Sequence, residues 1–218
     1  MPIKTLISSL HNKCIILNDK IEELYKIIHQ ITKIKMIKPN FNDEKAIAVA
    51  AYLIKLQGNR CDKYWLAKVM YYVERESLIK NGQPLFFDEL YSLPLGPIVS
   101  SVNDNIDSCS YPAESIWNHY FSLSNNEVAI LNEPDYSIIS TFEKNIIVEA
   151  YKKFRGWGFK SLHNYFEKLP EYKKTKGRIP IYYGEILSKV GYDEKAVTDT
   201  LEEISYITEL ESTLHCAV

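Results

Sequence analysis

The sequence predicts an α+β fold that is mainly α-helical: a compact helical domain with a small antiparallel β-sheet, preceded by a long N-terminal helix of coiled-coil character. Three observations carry this expectation. Apolar residues recur at helical spacing, first as a heptad seam over the opening residues and again from Trp65 to Val73. The β-prone runs are confined to Phe86 to Leu93 and to the two flanks of Ser124-Asn-Asn-Glu127. Length and composition are globular: 218 residues suit one domain with an extension, and 46% hydrophobic with 25% charged residues can bury a sizeable core. The division expected is residues 1–40 for the heptad helix and 41–218 for the domain.

In the opening segment Ile3, Ile7, Leu10, Cys14, Leu17, Ile21, Leu24, Ile28 and Ile31 alternate steps of four and three without a break. That is a coiled-coil seam. Ile7, Ile21 and Ile28 fall at one core position and Leu10, Leu17 and Leu24 at the other, the arrangement that favours two parallel strands. These six residues are therefore candidate partner-binding positions, either for a homodimer or for another protein. Leu6, Ile15, Ile16, Ile27 and Ile34 widen the apolar face, so docking on the chain's own domain stays open as well.

Pro39-Asn40-Phe41-Asn42 interrupts the helix, and Asn42 can cap a new one whose end is marked by Gly58. Asp62 caps the central helix, Gly82 closes it and Pro84 forbids its continuation. Phe86 to Leu93 has strand character. Pro94-Leu95-Gly96-Pro97 reads as a rigid turn, with Pro97 in the first turn of a helix reaching about Ile106. Ser115 to Leu131 reads as a hairpin turning at asparagines that tolerate positive φ, and joined to Phe86 to Leu93 it would make one sheet of about three strands. Ser140-Thr-Phe-Glu143 has capping-box spacing. Further helices are expected from Lys160 to about Lys168, Tyr183 to Val190 and Asp193 to Leu214, with a loop from Pro170 to Pro180 between the first two.

A net charge of −2 and a pI near 6.2 give no whole-molecule attraction to phosphate backbones, so nucleic acid is not the expected partner. Neither a leader nor a membrane-spanning run is visible, which gives a cytoplasmic expectation. The four cysteines lie far apart without ligand spacing, so no metal is expected and no cofactor is assigned. No nucleophile elbow, phosphate loop or paired-histidine metal motif occurs, and no catalytic residue is assigned. His163, among Leu162, Tyr165 and Phe166, reads as a core or helix-end residue. Arg75 stands between Glu74 and Glu76; if it points inward it must find a carboxylate such as Asp88 or backbone carbonyls, an internal ion pair fastening the central helix to the following loop, and if outward it is a partner contact. Adjacent Tyr71 and Tyr72 face opposite ways on a helix, one to the core and one near the surface.

Lys68 with Val69-Met70-Tyr71-Tyr72, Glu74-Arg75-Glu76, Gly82 with Pro84, Asp88 with Tyr91, and Leu93-Pro94-Leu95-Gly96-Pro97 form an ordered series. Ser161-Leu162-His163, Leu169-Pro170-Glu171-Tyr172 and Ile186-Leu187 extend it downstream. In these pieces the chain, from about Phe41 to about Tyr206, resembles the Panacea domain of the SocA-like antitoxins, a phage-associated family. Ser92 departs from an expected small residue such as alanine, and Tyr172 from tryptophan. The resemblance implies an antitoxin of a toxin–antitoxin system, often linked to phage defence, that neutralises a cognate toxin by direct protein contact and is not an enzyme. Its rivals are a proteolytic adaptor that delivers the toxin to a cellular protease and, less well supported, an enzyme using His163 or Arg75. Tyr71, Arg75, Asp88, Tyr91, Pro94, Gly96 and Pro97 join the heptad residues as candidate partner-binding positions.

Overall fold

The computed structural model describes residues 20, 21, 24, 40–110 and 115–215 of a chain that divides into two compact units, residues 1–37 and 38–218. The coiled-coil expectation, with Ile7, Leu10, Leu17 and Ile28, lies outside the described residues; Ile21 and Leu24 are helical and exposed. In the second unit the described elements are α1 (Asp43–Leu56), β1 (Arg60–Asp62), α2 (Lys63–Asn81), β2 (Leu90–Leu93), β3 (Gly96–Val99), α3 (Ser100–Ser108) and α4 (Trp117–Tyr120). They continue with β4 (Phe121–Ser124), β5 (Glu127–Ile130), a 3₁₀ turn (Tyr136–Ile138), α5 (Thr141–Phe154), α6 (Phe159–Phe166), β6 (Ile179–Ile181), α7 (Tyr183–Lys189) and α8 (Glu194–His215). The fold is mainly helical with small antiparallel sheets.

The helix ends follow their local chemistry. Asn42 accepts from the backbone N–H of Lys45 at 2.9 Å, Asp62 accepts from that of Trp65 at 2.9 Å, and Ser140 with Glu143 forms a reciprocal capping box. Gly82 ends α2 in the left-handed conformation at φ +70°. Helix α2 is buried on nearly every side, because α1, α3, α5, α6 and α7 all pack around it. Its apolar side chains Trp65, Leu66, Val69, Met70 and Val73 form the middle of the core.

The strands make two three-stranded antiparallel sheets, in the orders β1-β5-β4 and β3-β2-β6, where one sheet was expected. The hairpin β4–β5 turns at Asn125 and Asn126, both at positive φ, as asparagine allows. Its partner is β1, with Cys61 opposite Val128, and not residues 86–93. The reason lies in the chain after α2: the N–H groups of Leu85, Phe86 and Asp88 are all taken by the Glu74 carboxylate, so pairing starts only at Leu90. Pro97 belongs to β3 and not to a helix; Leu93 pairs with Gly96, which leaves Pro94 and Leu95 as the tip of a tight hairpin. Helix α3 therefore starts three residues later than expected, at Ser100, and it is capped from a distance by Asp88, which accepts from the N–H groups of Ser101 and Val102 at 3.0 Å each. The segment expected as a loop up to Pro180 ends in strand β6, with Pro180 opposite Tyr91. Among the described residues, no helix is long and apolar enough to cross a membrane.

Candidate functional site

Lys68, Tyr71, Glu74 and Arg75 on α2 are withdrawn from water, and between them they hold three stretches of later chain. Lys68, Tyr71 and Arg75 recur at three and four residues, so they share one face of the helix, with Glu74 beside them. Lys68 Nζ donates to the carbonyl of Pro97 at 2.7 Å and so ties down the β2–β3 hairpin. Tyr71 Oη donates to Glu171 Oε1 at 2.9 Å, and Arg75 grips the same carboxylate with Nε at 2.6 Å and Nη2 at 3.3 Å. Arg75 Nη1 also reaches Glu76 at 3.0 Å. Tyr183 Oη closes the cluster by donating to the Asp88 carbonyl at 2.7 Å.

Protonation follows this burial. Burial pushes the Glu74 carboxyl up to about 7, against the pull of its backbone N–H donors. Burial likewise raises Asp88, and it raises Tyr71 well above the usual phenol range with help from the Glu171 charge. For Arg75 burial pulls down, but the hydrogen bonds and charge of Glu171 outweigh it and leave the guanidinium raised. Lys68 is lowered to about 7 by burial.

The expected pairing of Arg75 with Asp88 is thus corrected: Glu171 takes Arg75, and Asp88 is occupied at the start of α3. Tyr71, Arg75 and Asp88 are buried and engaged internally, while Tyr72 is half-exposed. Gly96 and Pro97 are buried, and Pro94 is exposed at the hairpin tip. Tyr91 is half-buried; its hydroxyl donates to Glu89 at 2.9 Å, and the Arg178 guanidinium lies 3.6 Å from the centre of its ring. His163 stacks on Phe159, with Nε2 3.5 Å from Glu167.

Beside Lys68 opens a cavity of about 400 Å³ whose walls include Tyr64, Lys68, Leu93, Leu95, Ile98 and Phe159. At its mouth Leu95 and Phe159 are 50% and 51% exposed, high for large apolar side chains held on ordered backbone. Tyr64 bridges them: its hydroxyl donates to the Leu95 carbonyl at 2.9 Å, and its ring lies 4.6 Å from that of Phe159. Gly96 makes the close approach possible. Its φ of +100° suits glycine, and a Cβ there would lie 3.1 Å from Lys68 Nζ.

Sequence reasoning missed Leu95, Phe159 and Lys68 as site residues. Exposure of a leucine or phenylalanine has no local signature, and Lys68 and Leu95 stand in the sequence only as resemblance pieces, with nothing local to show that the helix of Lys68 is surrounded. Glu171 stands in the sequence among the resemblance pieces and downstream of His163, with nothing local to tie it to Arg75.

A family model described as "Antitoxin SocA-like, Panacea domain" matches residues 66–172. The resemblance read from the sequence holds over that stretch, which begins on α2 and ends one residue beyond Glu171. Neither the curated proteins nor the solved structures include a match to this chain. The family is one of antitoxins, so a protein partner is implied in general.

Proposed function

We propose that the protein is a cytoplasmic antitoxin that neutralises a cognate protein toxin by direct contact, in a phage-defence setting, without chemistry of its own. The family match over residues 66–172 carries this reading. The geometry supports it in a specific way. Lys68, Tyr64 and Tyr172 all donate to carbonyls of residues 93–97, so the hairpin tip is held at three points, two from one face of α2 and one from the chain after α6. Leu95 and the neighbouring Phe159 are presented on that fixed frame, and rigid apolar anchors lose little entropy when a partner covers them. The heptad residues would add a second surface, pairing with the toxin or with another copy of the chain.

The test is co-expression of the full-length protein with the toxin, sought first in the adjacent gene. Wild type should protect cells and co-purify with the toxin. Leu95→Asp with Phe159→Asp should abolish both while leaving the far-ultraviolet spectrum and melting temperature near wild type. His163→Ala should still protect. Protection without any physical association, or turnover of a substrate by the purified protein, would overturn the reading. Toxin levels that fall only in cells containing the protease would replace blocking with delivery for degradation.

A further inference from the structure

The buried charges of the second unit are nearly all matched. Arg75 has Glu171; Glu74 and Asp88 have backbone N–H groups; Glu171 has Arg75 and Tyr71. Lys68 differs. It is 1% exposed, and among the described residues its only hydrogen bond is to the Pro97 carbonyl and no carboxylate forms an ion pair with it. The Tyr64 ring face, 5.1 Å from Nζ, softens the loss of water without cancelling the charge. A buried ammonium with no counter-charge is costly, and a protein that keeps one has either shed the proton or left room for an anion.

Room exists. The cavity is of small-ligand size, semi-enclosed and mostly apolar, with Lys68 among its lining residues. Its other charged lining groups are already engaged: Asp62 caps α2, and Lys63 is paired with Asp107. Neutral carboxamides of Asn103 and Asn126 complete the polar part of the wall. An occupant therefore meets apolar surface, one cation without a counter-charge, and the Asp62 carboxylate turned to the N–H of Trp65 at the start of α2.

We infer that this cavity is a binding site for a small carboxylate with an apolar body, which packs against Leu93, Leu95, Ile98 and Phe159 and gives Lys68 the counter-charge that the protein withholds. The inference does not rest on the antitoxin reading, since the site belongs to the free protein. It sets a sign for pH. The carboxylate binds the protonated amine, so affinity is full below pH 7 and is lost as pH rises above it, because the free site has then given up its proton. Tyr64, raised to about 12 by burial, stays neutral across that window and does not compete.

The experiment titrates benzoate and its neutral counterpart benzyl alcohol into the ¹⁵N-labelled full-length protein without toxin, following the Leu95 and Gly96 amides by NMR. At pH 6.5 benzoate should saturate at concentrations at least tenfold below benzyl alcohol. Between pH 7.5 and 8.5 benzoate should weaken by about tenfold while benzyl alcohol stays constant. Lys68→Met should bind both alike. If this variant does not fold, the wild-type pH comparison decides alone. Equal binding of the two probes at pH 6.5, shifts that never saturate, or a preference for benzoate that survives in folded Lys68→Met overturns the inference; none of these outcomes bears on toxin binding, which the hairpin-tip variants report.

Discussion

Arg75 carries a charge it cannot lose and is only 7% exposed, so the folded chain must surround it with acceptors. Glu171, fully buried, provides the main one. Arg75→Met leaves that carboxylate facing only the Tyr71 hydroxyl and should cost about 3–5 kcal/mol in urea unfolding. The double variant Arg75→Met with Glu171→Met removes both charges and should recover at least half of the loss, with Tyr71 then lacking its acceptor. If the two single losses simply add, the pair is not acting as a unit. The requirement for acceptors, a carboxylate or backbone carbonyls, was legible from the sequence, because it is a statement about one guanidinium. Which carboxylate was not: Asp88 is near in sequence, yet its oxygens are occupied by α3, while Glu171 is 96 positions away and only the folded chain brings it close.

At the level of elements, caps and breakers were readable because they act within four residues. Asn42, Asp62, Gly82 and the Ser140 box all lie where the helices begin or end. Strand pairing was not readable. Strand β1 is three residues with an exposed-buried-exposed pattern, too short to announce itself, and it becomes a strand because the β4–β5 hairpin offers an edge. The β2–β3 hairpin was masked by its two prolines, which suggested a turn into a helix. Pro97 is tolerated there because β3 is the edge of its sheet. The hairpin depends on Gly96, and Gly96→Ala should cost about 1–3 kcal/mol, through backbone strain at φ +100° and contact with Lys68 Nζ. Gly58→Ala is the control: φ is +91° there, but nothing lies within 4 Å of the added carbon. Thermal melts of the two variants should show Gly96→Ala lower. Equal melting temperatures would mean that strain alone acts and that the Lys68 contact is inconsequential.

Across the whole molecule, two opposite buried charges on the same helix should leave an imprint on stability. The Glu74 carboxyl is raised to about 7 in the folded state, so between its ordinary range near 4.5 and pH 7 the folded protein holds a proton that the unfolded chain has lost. Stability must then fall as pH rises through that interval. Lys68 is lowered to about 7 from an ordinary 10.5, so above pH 7 the unfolded chain holds the extra proton and stability must rise. The two effects meet. Asp88, raised by burial, reinforces the falling limb on its acid side; the thiols of Cys61 and Cys109, both raised by burial, oppose the rising limb from about pH 9, and the buried phenols of Tyr71 and Tyr183 join them above about pH 10. Chemical unfolding measured from pH 5 to pH 8.5 at constant salt should therefore give a minimum near pH 7, with the rising limb no steeper than about 1.4 kcal/mol per pH unit. Lys68→Met should flatten the limb above pH 7 and leave the other. Glu74→Gln should flatten the limb below it. A wild-type profile that runs through pH 7 without a minimum would mean that these two side chains are not held, proton for proton, in the surroundings that the fold gives them.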